Sequence, residues 1–328
     1  MRRRDFITLL GGAAVAWPLA ARAQQDQRVR RLGVLSALAE DDPESVARRP
    51  AFEQALKALN WTDGSNLQID YRWAAGDAER IRKLVAEIIA LAPDVILTSG
   101  SSLVAPMMQA TRTIPIVFVQ VIDPVGSGFV ESLARPGGNI TGFTQFEYSL
   151  AAKWVELLKQ IAPQVSRAAV IRDPRLGYGI GQFAVVQAIA PSLGMEVSAI
   201  NAPDVSEIER GIAAFARSPN GGLVVTTGGT GFHRNEIIAL AAKHRLPAVY
   251  PYSYFVRSGG LISYGPDTID QYRRAADYID RIFKGEKPAN LPVQTPTKYN
   301  LAINLKTAQS LGLAVPHAML TRADEVIE

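Results

Sequence analysis

The sequence predicts an α/β protein of two lobes, each built around a parallel sheet. Three observations carry this. From Val29 onward short apolar, β-rich runs alternate with helical patterns, the signature of βαβ units. The alternation occurs twice, in two series of similar length and order, with no residue-level repeat between them. Gly- and Pro-rich segments fall where a chain passing from one lobe to the other would run.

In the first series the strands are predicted at 32–36, 67–73, 95–99 and 116–121, with helices at 44–59, 78–91 and 103–111. Residues 134–142 (Ala-Arg-Pro-Gly-Gly-Asn-Ile-Thr-Gly) tolerate unusual backbone angles and read as a first crossing. The second series has strands at 168–172, 196–200, 223–227 and 248–250 and helices at 153–161, 182–193, 207–216 and 236–244. A second crossing is expected at 259–266. Asp267 then caps a helix whose Ile269, Tyr272, Ala276, Ile279 and Phe283 share one face, and Gly285 and Pro288 end it. The Pro-rich stretch 290–299 reads as a third, extended crossing before a last helix at 305–311. The resulting division puts 29–142 and 266–290 in lobe 1 and 143–265 and 298–328 in lobe 2. Two lobes joined by three crossings describe a clamshell that closes on a ligand.

The N-terminus is read as an address. Arg3-Arg4-Asp5-Phe6 precedes a short apolar run, broken by Pro18, that closes with Ala21-Arg22-Ala23. This is the pattern of a bacterial export signal, of the twin-arginine type, occupying residues 1–23 and cleaved before Gln24. The apolar run is too short for a spanning helix, and no later stretch is long and apolar enough to be one. The expected location is the periplasm. The whole chain has 35 Lys and Arg against 31 Asp and Glu; removing Arg2, Arg3, Arg4, Arg22 and Asp5 leaves 31 against 30. The basicity belongs to the signal, and no Lys/Arg block remains to neutralise a row of phosphates, so nucleic acid is not an expected partner. There is no cysteine, which excludes disulfides and thiolate metal sites and leaves the fold to its core.

The motifs themselves resemble a family. Residues 116–125 ending in Asp123-Pro124-Val125, then Ser132-Leu133-Ala134-Arg135-Pro136-Gly137-Gly138-Asn139-Ile140-Thr141-Gly142, are similar to the central signature of periplasmic substrate-binding proteins of tryptophan/tyrosine-type ABC uptake systems. The tail is similar too, through Gly259-Gly260-Leu261-Ile262-Ser263-Tyr264-Gly265, Lys287-Pro288-Ala289-Asn290-Leu291-Pro292-Val293 and Ile303-Asn304-Leu305-Lys306-Thr307-Ala308. The resemblance covers nearly the whole chain after the signal. It implies a type I periplasmic-binding fold and delivery of a small solute to an ABC permease in the inner membrane. It leaves the solute open: an amino acid, aromatic ones among them, or another small carboxylate.

Ligands in open α/β sheets bind at the carboxyl ends of the strands. That rule selects Ser36, ending the first strand, and the loop Ser99-Gly100-Ser101-Ser102, whose backbone N–H groups and hydroxyls suit an anion; Ser101 or Ser102 equally serves as a helix cap. Pro106 places the helix start close to Ser102. Asp123 projects from the same edge and either pairs with a ligand ammonium or forms an Asp-Pro turn. In the second lobe the candidates are Tyr178 in a glycine-rich loop, Thr227 and Gly228 after the third strand, and Tyr252 and Tyr264, whose rings either pack in the core or sandwich a flat ligand.

Enzyme readings find little support. The histidines His233, His244 and His317 form no H-E-x-x-H, and there is no P-loop and no nucleophile elbow. Gly177-x-Gly179-x-Gly181 lacks dinucleotide-fingerprint spacing. No enzyme activity, cofactor or metal is expected. The alternatives to a solute receptor are an exported oxidoreductase holding a dinucleotide and a ligand-sensing module for a membrane signalling protein.

Overall fold

The computed structural model describes residues 28–174 and 177–328; the export signal expected at 1–23 lies outside them. The first lobe runs β1 (Arg30–Ser36), α1 (Pro43–Ala58), β2 (Leu67–Trp73), α2 (Ala78–Ala90), β3 (Val95–Ser99), α3 (Ser101–Ala110), β4 (Ile116–Val121) and β5 (Ile140–Thr144). These five strands form one parallel sheet in the order β2-β1-β3-β4-β5. β3, β4 and β5 are buried at every position, as expected of a parallel sheet covered by helices on both faces.

The first two helices start at side-chain caps. Asp42 accepts from Glu44 N (2.9 Å) at the head of α1, with Pro43 at the first helical position, and Asp77 caps α2. Ile81, Leu84, Val85 and Ile88 then present one buried stripe of α2 to the sheet.

The second lobe continues with α4 (Leu150–Ile161), β6 (Arg167–Arg172), α5 (Gly177–Ile189), β7 (Glu196–Asn201), α6 (Val205–Phe215), β8 (Gly221–Val225), α7 (Arg234–Lys243), β9 (Ala248–Tyr250), α8 (Ser253–Arg257) and β10 (Ile262–Pro266). After α9 (Thr268–Phe283) come β11 (Tyr299–Asn304), α10 (Leu305–Ser310), α11 (His317–Leu320) and β12 (Glu325–Ile327). The seven-stranded sheet has the order β12-β11-β10-β9-β8-β6-β7 and is parallel except where β10 meets β11.

Each sheet carries a core on both faces. In the first lobe α1 and α9 cover one face, through Phe52, Leu56, Tyr272 and Ile279, and α2 and α3 cover the other, through Ile81, Val85, Leu103 and Met107. In the second, α4 and α5 bury Trp154, Val155, Leu158 and Val186 on one side, and α6, α7 and α8 bury Ile208, Ile212, Ile237 and Phe255 on the other. Helix α9 follows the second sheet in sequence but packs on the first, beneath an N-cap in which Asp267 accepts from Ile269 N and Asp270 N.

The crossings differ from the sequence expectation. Residues 134–142 and 259–266 were expected as linkers, yet each contains a buried sheet strand, β5 and β10. β5 runs past 142, so the chain leaves the first sheet after Thr144 and not at Gly142. Glycine is present because backbones approach closely: a Cβ at Gly142 would lie 2.0 Å from Phe118 O, and one at Gly265 would lie 1.8 Å from Pro251 O. Within residues 134–142, Asn139-Ile140-Thr141 enters β5, with Thr141 Oγ1 donating to Leu291 O (2.6 Å). The third crossing lies beside β5, with Thr144 N donating to Gln294 O (2.8 Å) and Gln294 N to Gly142 O (2.9 Å). β11 and β12 lie beyond the strands expected from sequence.

Candidate functional site

The carboxyl edges of the two sheets face one another. The β1–α1 loop of the first lobe meets the start of α7 in the second through Asp42 and Arg234 (3.1 Å), and Gly76, after β2, lies against the ring of Phe232. The loops after β1 and β2 in the first lobe therefore meet the β8–α7 connection of the second along one interlobe seam.

On the first edge, Ser36 and Ser99 sit side by side in the β1–β3 register, with Trp73 on the other flank of Ser36. Ser36 is buried and its Oγ accepts from Leu38 N (3.2 Å). Helix α3 begins at Ser101, one residue earlier than Pro106 suggested, after Gly100 at φ 112°. That puts Ser101 and Ser102 inside the first turn and not at the cap. Ser101 Oγ accepts from Ile122 N (3.0 Å), tying the β3–α3 junction to the end of β4; Ser102 is exposed.

Beyond Phe118, β4 breaks its register with β5 and bulges, and two non-glycine residues take left-handed backbone, Gln120 (φ 57°) and Asp123 (φ 43°). Such strain persists only where the surroundings hold it. Here a chain of amides does. Gln120 donates through both its backbone N (3.1 Å) and Nε2 (2.9 Å) to Gln271 Oε1, Gln271 Nε2 donates to Thr144 O (3.0 Å), and Gln145 Nε2 donates to Gln120 Oε1 (3.0 Å). Asp123 favours its turn reading: Oδ1 accepts from Gly126 N (2.9 Å) and Oδ2 from the Tyr148 hydroxyl (3.2 Å). Burial first, then the charge and hydrogen bond of Asp123, push the Tyr148 phenol up to about 12.

On the second edge, Thr227 is buried, and both its N (3.2 Å) and Oγ1 (3.3 Å) donate to Gln182 Oε1. Gln182 is fully buried and its Nε2 has no partner among the described residues, a costly state for an amide donor unless something else accepts from it. Asp173 is buried at the end of β6. Gly228 turns the chain at φ 95°. The glycine-rich segment is helical from Gly177 onward, so Tyr178 belongs to the first turn of α5 and not to a loop; its side chain lies outside the described residues.

Tyr252 is buried and stacks on Tyr254 (centroids 5.2 Å apart). Tyr264 turns the other way, stacking on Tyr299 (5.8 Å) and packing on the α4 core, where its carbonyl accepts from Trp154 Nε1 (2.7 Å). It is a packing residue.

Position at a strand end led to Ser36, Ser99, Thr227 and Tyr252, which the structure places at or just beyond the carboxyl ends of β1, β3, β8 and β9. It missed Gln120, Gln182 and Trp73, although Gln120 and Trp73 lie at strand ends that the same rule would have reached. A hollow of about 250 Å³ lined by Asp123, Val125, Phe146, Tyr148 and Thr295 flanks the crossings. A larger one, about 370 Å³, lies at the amino ends of the first sheet beside Arg30, Asp94 and Asn139, away from either carboxyl edge. Among the described residues no group of three or more His, Asp or Glu is placed to hold a metal ion, and no helix is long and apolar enough to cross a membrane.

Comparison with known proteins agrees with this architecture. The chain is 24% identical over 279 residues to a tyrosine-binding protein of Clostridioides difficile, covering 83% of this chain and 79% of that one. Among solved structures it is similar to an ABC domain in complex with L-Trp from Streptococcus pneumoniae (TM-score 0.83, 24% identity, 91% of this chain and 99% of that one). It is also similar to a conserved domain protein of Vibrio cholerae (TM-score 0.82, 27% identity, 91% and 100%). The two lobes with their parallel-dominated sheets are the type I periplasmic-binding fold. The model of the family described as ABC transporter substrate binding protein matches residues 35–327, from the end of β1 into β12. Two facing strand edges, amide and hydroxyl groups along both, and a family match through nearly all of both lobes lead to one assignment: this chain belongs to the ABC transporter substrate-binding protein family, the solute receptors that serve ABC transporters.

Proposed function

We propose that this receptor works in the periplasm, delivered there by residues 1–23, and that it captures an aromatic L-amino acid between its lobes for an ABC permease in the inner membrane. Capture and release are its whole task, with no covalent step. The observation that carries the reading is the pairing of neutral hydrogen-bonding groups with aromatic faces at the seam. Ser36, Ser99 and the turn at Gly100 on one edge, and Thr227 and Gln182 on the other, suit a carboxylate. Trp73 and Tyr252 supply faces for a flat side chain. Asp173, buried at the end of β6 on the second edge, is the acid assigned to the ammonium. The tyrosine-binding and L-Trp-bound relatives support the same ligand class.

An oxidoreductase reading is weakened by the helix at Gly177, Gly179 and Gly181. A dinucleotide fingerprint needs its first glycines in the turn before the helix, where they free backbone N–H groups for the pyrophosphate.

Calorimetry on protein stripped of co-purified ligand, with L-Trp, L-Tyr, L-Phe, sugars and NAD, tests the proposal. Binding of an aromatic amino acid that falls about a hundred-fold in Asp173→Asn is expected. Binding of NAD alone, or of sugars alone, overturns it.

A further inference from the structure

One group of side chains at the interlobe seam has no part in the site above. Asp42 stands at the head of α1 in the first lobe, and Arg234 at the head of α7 in the second. They form an ion pair at 3.1 Å with side chains only 16% and 14% exposed. Asp42 is held in place by its second task, capping α1 through Glu44 N (2.9 Å). Arg234 is held by the ring of Tyr254, over which its guanidinium lies at 5.5 Å. Tyr254, from α8, feels first-lobe charges as well, those of Arg48, Glu44 and Asp42.

Beneath it the first lobe is braced. Arg48 and Glu44 pair at 2.9 Å while nearly buried, Thr268 donates to Glu44 Oε2 (3.0 Å), and Arg48 lies over Tyr272 at 5.8 Å. Phe232, two residues before Arg234, packs on Gly76 of the first lobe, where a Cβ would sit 3.3 Å from the ring.

We propose that Asp42, Arg234 and Tyr254 form a latch that holds the lobes together whether or not solute is bound, so that its strength scales affinity for every solute by one common factor. A pair this well shielded is screened less than a surface pair, and each partner is already oriented by contacts within its own lobe, so little side-chain entropy is lost on closing. The latch is a property of closure and does not depend on which solute the cleft takes. Solute that binds the closed form gains or loses apparent affinity with the closed fraction.

The chain has no cysteine, so dyes attach only where cysteines are introduced. Lys83→Cys on α2 and Glu209→Cys on α6, both exposed, report the distance between lobes by single-molecule energy transfer without any ligand. In solute-free protein, Arg234→Gln and Asp42→Asn should each reduce the ratio of closed to open molecules about five-fold. The double variant should do no more than the stronger single one, and added salt should lower the ratio in the parent but not in the double variant. Asn still caps α1, so Asp42→Asn separates loss of the latch from loss of the helix. An unchanged closed fraction, or single effects that add, overturns the proposal. So does a drop in affinity confined to one solute, which would make Arg234 a ligand contact.

Discussion

The two carboxyl edges use the same kinds of side chain in opposite ways. On the first, the polar atoms already serve the backbone: Ser36 accepts from Leu38 N, Ser101 from Ile122 N, Asp123 from Gly126 N, and Gln120 is clasped by Gln271. On the second, Gln182 and Thr227 bind each other at 3.2–3.3 Å and leave Gln182 Nε2 without a partner among the described residues. Thr98 and Thr144 on the first lobe also have hydroxyls with no partner among the described residues; Thr98 shares the strand face of Ile96, which belongs to the α2–α3 core, and is turned away from α1 and α9, while Thr144 ends β5 beside the third crossing. The first edge is therefore braced around β1, β3 and β4, where its shape is set before ligand arrives, while the second keeps donor capacity in reserve at Gln182. A hydroxyl or amide at a strand end does not by itself mark a ligand contact; whether its hydrogen bonds are already committed decides.

The bracing can be broken at its foundation. Gly142→Ala places a Cβ against Phe118 O and Gly265→Ala one against Pro251 O, both backbone atoms that have no rotamer to escape into. Each substitution should cost about 3 kcal/mol or more in urea unfolding. Gly142→Ala should also loosen the β4 bulge that carries Gln120 and Asp123, whereas Gly265→Ala should leave it intact. Amide exchange at Val121 and Ile122 separates the two. If Gly142→Ala folds with parental stability, the first edge is not held by the packing of β5 on β4.

A second pair of variants compares the edges directly. Ser101→Ala removes a backbone brace and should cost about 1 kcal/mol of stability while leaving solute affinity within about two-fold. Gln182→Leu removes the reserved donor and should lower affinity about ten-fold or more. Urea melts and calorimetry on both variants give the answer, and the reverse pattern would show that recognition rests on the first edge.

Much of this fold was legible because its signals are local. Asp267 as a cap, the buried stripe Tyr272-Ala276-Ile279-Phe283 and the apolar runs of β1, β3, β4, β6 and β8 follow from periodicity and capping chemistry. β5 and β10 were hidden by the glycine and proline that let them pass close to neighbouring backbone, so composition suggested loops where tertiary packing demands strands. β11 pairs antiparallel with β10, a partnership that spans the whole of α9 and leaves no local trace. At the candidate site, the strand-end positions of Ser36, Ser99 and Thr227 were legible in the sequence. The left-handed backbone of Gln120 and Asp123 is imposed by the bulge, and Gln182 sits one turn into α5, where sequence carries no turn or motif signal. The roles of Ser101 and Asp123 stayed open because a cap, a turn and a ligand contact all use the same oxygen atoms.

The smallest effect tests where the two lobes share one residue. The ring of Tyr148 lies where a Cβ on Gly181 of α5 would approach to 2.7 Å, and its hydroxyl donates to Asp123 in the first lobe. Its phenol is raised to about 12, chiefly by burial and then by the charge and hydrogen bond of Asp123. A tyrosine whose folded pKa exceeds the unfolded value near 10 favours the folded state fully below pH 10, and that contribution is lost as pH rises from about 10 through 12. The bond to Asp123 is therefore intact throughout the neutral range, and solute affinity should not respond to it there. The difference between the phenolate absorbance titrations of the parent and Tyr148→Phe isolates this group. Asp123→Asn should move its midpoint downward but not back to 10, since burial, the larger cause, remains. A midpoint near 10 in the parent, or one that Asp123→Asn leaves unmoved, would mean that Tyr148 does not bridge the first edge to the second lobe.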